Sequence, residues 1–136
     1  MDRSLLLRRL AVTRGCLQRL ESKRTWTLPE FLSDADTQDV VLRNLQVAIQ
    51  ACLDCASHII SENGWELPGS SAGTFGVLAR HGLLQPELAQ RLTLALRLRD
   101  LLVHAYDSIS LERIYETYQQ DLTDLEEFCR AVERRS

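Results

Sequence analysis

Apolar residues recur along most of this chain at intervals of three and four, the spacing that places them on one face of an α-helix. The first such segment predicts a helix from about Arg3 to Lys23. Its repeating positions are Leu6, Leu10, Thr13, Leu17 and Leu20. Residues 25–35 interrupt the pattern, and Pro29 within them indicates a connector that contains at most one short turn.

A longer amphipathic segment follows the connector. Asp36 is a suitable N-cap for a second helix, which we expect to end near Asn63 because Gly64 terminates it. Its apolar positions are Val41, Leu45, Ala48, Cys52, Cys55, Ala56, Ile59 and Ile60. Residues 64–73 are rich in Gly, Ser and Pro, which predicts a loop.

Three further helices complete the prediction. A short one covers Thr74–His81 and is closed by Gly82. The next runs from Pro86, a residue suited to a first turn, to about Tyr106. The last is capped by Ser110 and continues to about Arg134. The pattern therefore predicts a single all-α domain over residues 1–136, a bundle of four long helices plus one short helix.

Composition narrows the class of protein. The chain has 136 residues and is 45% hydrophobic, enough for the core of one domain. It lacks an apolar run of 18 residues, and its Arg-rich start lacks the small-residue cleavage site of a secretory signal. We therefore expect a cytoplasmic protein without a membrane anchor. The four cysteines are expected to be reduced thiols; they are Cys16, Cys52, Cys55 and Cys129.

Charge is unevenly distributed along the chain. The net charge of −3 argues against a protein that coats nucleic acid in general. Residues 1–24 are nevertheless basic, whereas residues 25–77 are acidic, with Arg43 as the only base, and residues 110–136 are acidic again. An RNA strand would meet a local basic surface, and the alternative is that these charges only solvate helix faces.

The Pro86–Tyr106 helix has apolar residues on two sides. With successive residues about 100° apart, one apolar stripe surrounds Arg99. That stripe comprises Leu88, Leu92, Ala95, Leu96, Leu102, Val103 and Tyr106. The second stripe comprises Leu94, Leu98, Leu101 and Ala105. One chain is short of elements to cover both, so we expect a symmetric dimer in which a second copy packs on the Arg99 stripe through residues such as Leu92 and Leu96.

Arg99 and His104 are the side chains of this helix best suited to chemistry. A buried Arg needs a partner, so Arg99 either pairs with Asp100 or Asp54 or faces a groove that accepts an anion. His104 has the pKa range of a general acid or base and lies one turn after Asp100, although a solvated surface histidine is the alternative. Residues five positions apart on a regular helix point about 140° away from each other. Arg99 and His104 would therefore meet only through a kink in the helix or across a two-fold interface.

Two other polar constellations carry less weight. Cys52, Cys55 and His58 follow one another at three-residue steps and, with Cys16 or Cys129, would offer metal ligands. Inside an apolar helix such cysteines are more often core residues, so no metal site is predicted. Asp54 and His58 are one turn apart and could pair, which would make them packing or interface residues.

The octet Arg99-Asp-Leu-Leu-Val-His104-Ala-Tyr106 resembles the Arg-x-x-x-x-His-x-Tyr signature of the HepT toxins, helical ribonucleases of the HEPN superfamily. The resemblance continues in residues 41–50, 54–60 and 75–84 and covers about residues 3–130. The family commonly has Asn directly after the motif Arg, where this chain has Asp100. Whether Asp100 supports His104 or weakens the local positive field stays open.

The resemblance implies an endoribonuclease that needs no metal or other cofactor and cleaves RNA, with tRNA as one candidate. His104 would move the proton of the attacking ribose 2′-OH, and Arg99 would stabilise charge on the phosphate. The active site would be completed in a homodimer.

The resemblance also implies regulation by a partner. HepT toxins are paired with a minimal nucleotidyltransferase antitoxin, MntA, which adds AMP to the motif tyrosine, here Tyr106. A phosphodiester on Tyr106 would compete with RNA for the guanidinium of Arg99. The rival hypothesis is a non-catalytic helical adaptor that keeps the fold and binds a nucleotidyltransferase or a nucleotide.

Overall fold

The structure is a computed structural model that describes residues 3–23, 26–104 and 110–135. Side chains are described for all of these residues except 3, 103 and 104. Within these ranges the chain forms six α-helices. The helices are α1 (Arg3–Glu21), α2 (Leu28–Ser33), α3 (Ala35–Asn63), α4 (Thr74–Arg80), α5 (Pro86–His104) and α6 (Leu111–Arg135), with a 3₁₀ turn at Ser71–Gly73 before α4. The all-α prediction and its four long helices are confirmed. The number of short helices is two, because the connector folds into α2.

Local capping explains how α2 forms within a stretch predicted as a connector. Thr27 accepts a hydrogen bond from the backbone of Glu30, and the Glu30 side chain accepts one from the backbone of Thr27, so both ends of a capping box are present. Phe31 then anchors the helix, since its buried ring lies 5.6 Å from the ring of Tyr115 on α6. A second ring of α6, that of Tyr118, lies 6.4 Å from Phe31, so the short helix is held by its cap and by these two aromatic contacts.

The start of α3 corrects the N-cap predicted at Asp36. The cap is Asp34, whose backbone is extended and whose carboxylate accepts a hydrogen bond from the amide of Thr37 at 3.1 Å. Because α2 continues to Ser33, Asp34 alone separates the two helices, and Asp36 lies in the first turn of α3. The predicted end is confirmed: Gly64 adopts a left-handed conformation with φ of 65°, which suits a residue without a Cβ.

The core is built where α1 packs along α3, with α5 and α6 closing the bundle. The four cysteines are buried, free thiols within this core. Burial raises the pKa of Cys55 to about 12, as expected for a thiol that packs rather than reacts. Within the part of the chain that the structure describes, no helix is long and apolar enough to span a membrane.

The two apolar stripes of α5 differ in burial, and the expectation that a second copy packs on the Arg99 stripe is wrong. Leu92 and Leu96, on the Arg99 stripe, are each 1% exposed within a single chain, so a second copy cannot be what covers them. Leu94 and Leu101, on the other stripe, are 58% and 49% exposed. Among the described side chains, the bundle of one chain buries Leu88, Leu92, Ala95, Leu96 and Leu102 of the first stripe, and the exposed leucines of α5 belong to the second.

Candidate functional site

Arg99 projects from α5 into a cavity of about 360 Å³ that α1 and α3 complete. Its side chain is 18% exposed. The cavity is lined by Arg9, Val12, Gln46, Val47, Gln50, Ala51, Asp54 and Arg99. The packing of α1 along α3 leaves this recess beside α5, so residues distant in sequence meet around one guanidinium.

Arg99 has partners on only part of its guanidinium. Nη2 donates a hydrogen bond of 2.6 Å to Oε1 of Gln50, and Nη1 lies 3.2 Å from Oδ1 of Asp100. Nε is buried and has no hydrogen-bond partner. The sequence left two alternatives for Arg99, a carboxylate partner or a groove that accepts an anion. The structure shows part of each, because Arg99 pairs with Asp100 and also lines a cavity.

A polar chain across the cavity links two arginines. Nε2 of Gln50 donates to Oδ1 of Asp54 at 2.8 Å, and the other oxygen of Asp54 accepts from Nη1 of Arg9 at 3.3 Å. Asp54 therefore accepts hydrogen bonds from Arg9 and Gln50. The sequence suggested Arg99 or His58 as its partner, and neither pairing is observed. Nε2 of His58 lies 3.8 Å from Glu62 instead.

Two of the other predicted site residues, Asp100 and His104, lie in the last part of α5. His104 is the last described residue of that helix, so Arg99 and His104 are five positions apart on one continuous element. Their expected divergence stays a prediction, since the side chain of His104 falls outside the described side chains. Tyr106 lies outside the described residues altogether. Asp100 is 49% exposed at the edge of the site.

Sequence reasoning missed Gln50 and Arg9. A glutamine and an arginine on amphipathic helices look like ordinary polar-face residues, and their contacts span 49 and 45 positions in sequence. The available signal was that Gln50 and Asp54 are one turn apart on the same helix, which allows a direct hydrogen bond.

A second surface lies on the opposite side of α5. The groove between α5 and α6 has a volume of about 760 Å³, and Leu94, Leu98 and Leu101 line its apolar wall. Asp121 lines it too and is 7% exposed, with Oδ2 unpaired. Burial, and then the nearby charge of Asp124, raise the pKa of Asp121 to about 7. Asp124 itself is paired with Arg91 at 2.9 Å.

The chain matches known proteins over nearly its whole length. The family model described as "Ribonuclease HepT-like" matches residues 13–132. The chain is 29% identical to an mRNA nuclease HepT of Shewanella oneidensis, over 94% of this chain and 96% of the relative. It is 30% identical to a tRNA nuclease HepT of Aphanizomenon flos-aquae, over 79% of this chain and 73% of the relative.

Similarity to a solved structure agrees with these matches. The model superposes, with a TM-score of 0.88 and 28% identity, on a tri-AMPylated HEPN toxin of Shewanella oneidensis in complex with an MNT antitoxin. The similarity covers 98% of this chain and 99% of that one. The resemblance drawn from the Arg99–Tyr106 octet is thereby confirmed at the level of the family.

Proposed function

Because the chain belongs to the ribonuclease HepT-like family, we propose that it is the toxin of a toxin–antitoxin pair and cleaves RNA without a metal ion, using Arg99 and His104. The observation that carries the proposal is the state of Arg99 in its cavity. Arg99 lines an open recess with a side chain that is 18% exposed and a guanidinium that is only partly paired, so it can present donors to an anionic oxygen.

The chemistry follows from the residue types. His104 takes the proton of a ribose 2′-OH, whose oxygen then bonds to the adjacent phosphorus as the bond to the 5′ oxygen of the next nucleotide breaks, and the leaving 5′ oxygen takes a proton from water. The products are a 2′,3′-cyclic phosphate and a 5′-hydroxyl, which requires no external nucleophile. Arg99 presents parallel donors to the phosphate oxygens while negative charge accumulates on them.

The substrate is proposed to be a cellular RNA in the cytoplasm. The two HepT relatives are named for mRNA and for tRNA, so the class of substrate is shared while the particular RNA differs. The basic stretch of residues 1–24 contributes α1 to the cavity wall, which gives RNA a cationic approach on a protein whose net charge is −3.

Assembly and regulation are proposed on the same footing. The exposed leucines of the α5–α6 groove support a homodimer that packs through Leu94, Leu98 and Leu101. The AMPylated toxin and MNT antitoxin of the similar structure support Tyr106 as an acceptor of AMP from a partner nucleotidyltransferase. The phenol oxygen would bond to the α-phosphorus of a nucleoside triphosphate, and pyrophosphate would leave.

The test is cleavage of total RNA by purified protein in EDTA, with end-group analysis of the products. Wild type is expected to produce cyclic phosphate ends, and the His104→Ala variant, if folded by circular dichroism, is expected to lose at least 10²-fold in rate. Failure of wild type to cleave any cellular RNA would instead support the adaptor hypothesis.

Regulation is tested separately by co-expression with the neighbouring nucleotidyltransferase and peptide mass analysis. AMP is expected on Tyr106. AMP on Tyr115 or Tyr118, or none at all, would contradict this assignment. Tyr115 and Tyr118 are suited as controls because their hydroxyls already donate to the backbone oxygens of Trp26 and Lys23.

A further inference from the structure

We propose that Arg9, on α1, is a second phosphate-binding residue of the site and contacts a phosphate of the bound RNA next to the one held by Arg99. This inference rests on the proposed ribonuclease function. Arg9 and Arg99 line the same cavity of about 360 Å³ from opposite elements. Nε is buried and unpaired in both residues, so each of the two guanidinium groups of this recess has one donor without an acceptor, while its other nitrogens hold Asp54, Gln50 or Asp100. A strand of phosphodiesters supplies anionic oxygens at regular intervals, which a lone small anion does not.

The contact that holds Arg9 is one that RNA can displace. Its ion pair with Asp54 measures 3.3 Å, and the two side chains are 35% and 39% exposed. Ion pairs at that level of exposure contribute little to stability. Phosphate is an equally charged acceptor for a guanidinium, and well-formed bonds of this kind are shorter, about 2.7–2.9 Å, than the present contact of 3.3 Å. Arg9 therefore remains available, and Asp54 keeps it beside the cavity until RNA arrives.

Gln50 is a neutral side chain that connects Arg99 with Asp54, the partner of Arg9. Its amide oxygen accepts from Arg99 and its amide nitrogen donates to Asp54, so it connects the two halves of the site. A carboxylate at position 50 would form a direct ion pair with Arg99 and offset the charge that phosphate requires. A neutral amide fixes the guanidinium without adding a second carboxylate to the one that Asp100 already supplies. Gln50 and Asp54 are positioning residues in this arrangement.

The apolar part of the cavity suits the remainder of a nucleotide. Val12, Val47 and Ala51 form its wall between the two arginines, and Val12 is 49% exposed. Such a surface accepts the face of a ribose or base without specific hydrogen bonds. The site therefore fits single-stranded RNA, in which the sugar and base are free to turn toward the wall.

The experiment measures RNA affinity and cleavage separately for three variants. The ligand is a single-stranded RNA oligonucleotide that spans a mapped cleavage site, with 2′-deoxyribose at the cleaved position so that it binds without reacting. Arg9→Gln is expected to weaken binding by about tenfold and to leave the single-turnover rate at saturating RNA within about threefold. The slope of log affinity against log salt should fall by about 0.7, the value for one lost contact to single-stranded nucleic acid.

Asp54→Asn provides the opposite perturbation, and Arg130→Gln is the matched control. Removing the carboxylate frees Arg9, so Asp54→Asn is expected to bind RNA severalfold more tightly. Arg130 lies on α6 outside the cavity and its side chain is 61% exposed, so Arg130→Gln should change neither the affinity beyond about twofold nor the salt slope. A purely structural Arg9–Asp54 pair predicts instead that both single variants lower thermal stability and that neither alters RNA affinity.

The outcomes separate this inference from the proposed function. Cleavage by wild type together with unchanged affinity and salt slope in Arg9→Gln would overturn the role of Arg9 alone. If Arg9→Gln does not fold, Arg9→Lys and Asp54→Asn provide the same test. The inference is overturned if both of these variants bind RNA with the affinity of wild type. A wild-type protein that neither binds nor cleaves RNA would overturn the ribonuclease proposal itself.

Discussion

Replacing Asp121 with asparagine is expected to stabilise the protein at alkaline pH. Asp121 is 7% exposed on α6, Oδ2 has no partner, and the nearest charge that acts on it is the carboxylate of Asp124. Asp124 is itself paired with Arg91 at 2.9 Å. Above neutral pH the fold therefore holds an ionised Asp121 without its own counter-charge, which is unfavourable.

The magnitude follows from the two pKa values. Burial raises the pKa of Asp121 from 3.8 in the unfolded chain to about 7 in the fold, a difference worth about 4 kcal/mol. Because the folded protein holds this proton more tightly, the contribution to stability is complete below pH of about 4 and is lost as pH rises through 7. About 2–3 kcal/mol of it should be lost between pH 5 and pH 8.5.

The assay is urea unfolding of wild type and Asp121→Asn at pH 5 and pH 8.5, at one protein concentration. The free energy of unfolding of the variant, relative to wild type, should be greater at pH 8.5 than at pH 5 by about 2–3 kcal/mol. Asp39→Asn, at an exposed position of α3, is the control and should show no such difference. A variant of Asp121 that follows wild type at both pH values would show that this carboxylate is solvated or paired, and would refute the reasoning.

Two further predictions test the packing of helices. Asp34→Ala should cost about 1 kcal/mol of stability by thermal unfolding while Asp36→Ala costs far less, since only Asp34 caps α3; equal losses would contradict that assignment. Leu96→Asp should unfold the chain because an unpaired charge in the core costs several kcal/mol, whereas Leu101→Asp should stay folded by circular dichroism and become monomeric by light scattering. A Leu101→Asp protein that remains dimeric would exclude the α5–α6 groove as the interface.

The sequence predicted the long helices well because their signals are local. Spacing of apolar residues and the terminating Gly64 depend on neighbours within a few positions. The N-cap was misplaced because Asp34 and Asp36 are both good capping residues, and the choice between them depends on where α2 ends. That end in turn depends on Phe31 packing against α6, a contact far away in sequence.

The candidate site was predictable only in part, because it too depends on contacts between residues far apart in sequence. The motif identified Arg99, and its neighbour Asp100 was visible as a partner. Gln50 and Arg9 approach Arg99 only after α1, α3 and α5 have packed, so no spacing in the sequence indicates them. The dimer surface was assigned to the wrong stripe because a wheel shows which residues share a side of α5 but not which side the rest of the chain covers.

The most direct test of the account is the single-turnover rate of RNA cleavage in EDTA by wild type, Arg99→Ala and Arg130→Ala. Arg130 is a matched arginine on α6 whose side chain is 61% exposed and lies outside the cavity. The account predicts that Arg99→Ala, confirmed as folded, loses at least 10²-fold in rate at saturating RNA while Arg130→Ala stays within about twofold of wild type. Equal rates for the two variants would contradict the claim that the cavity around Arg99 is the place where RNA is cut.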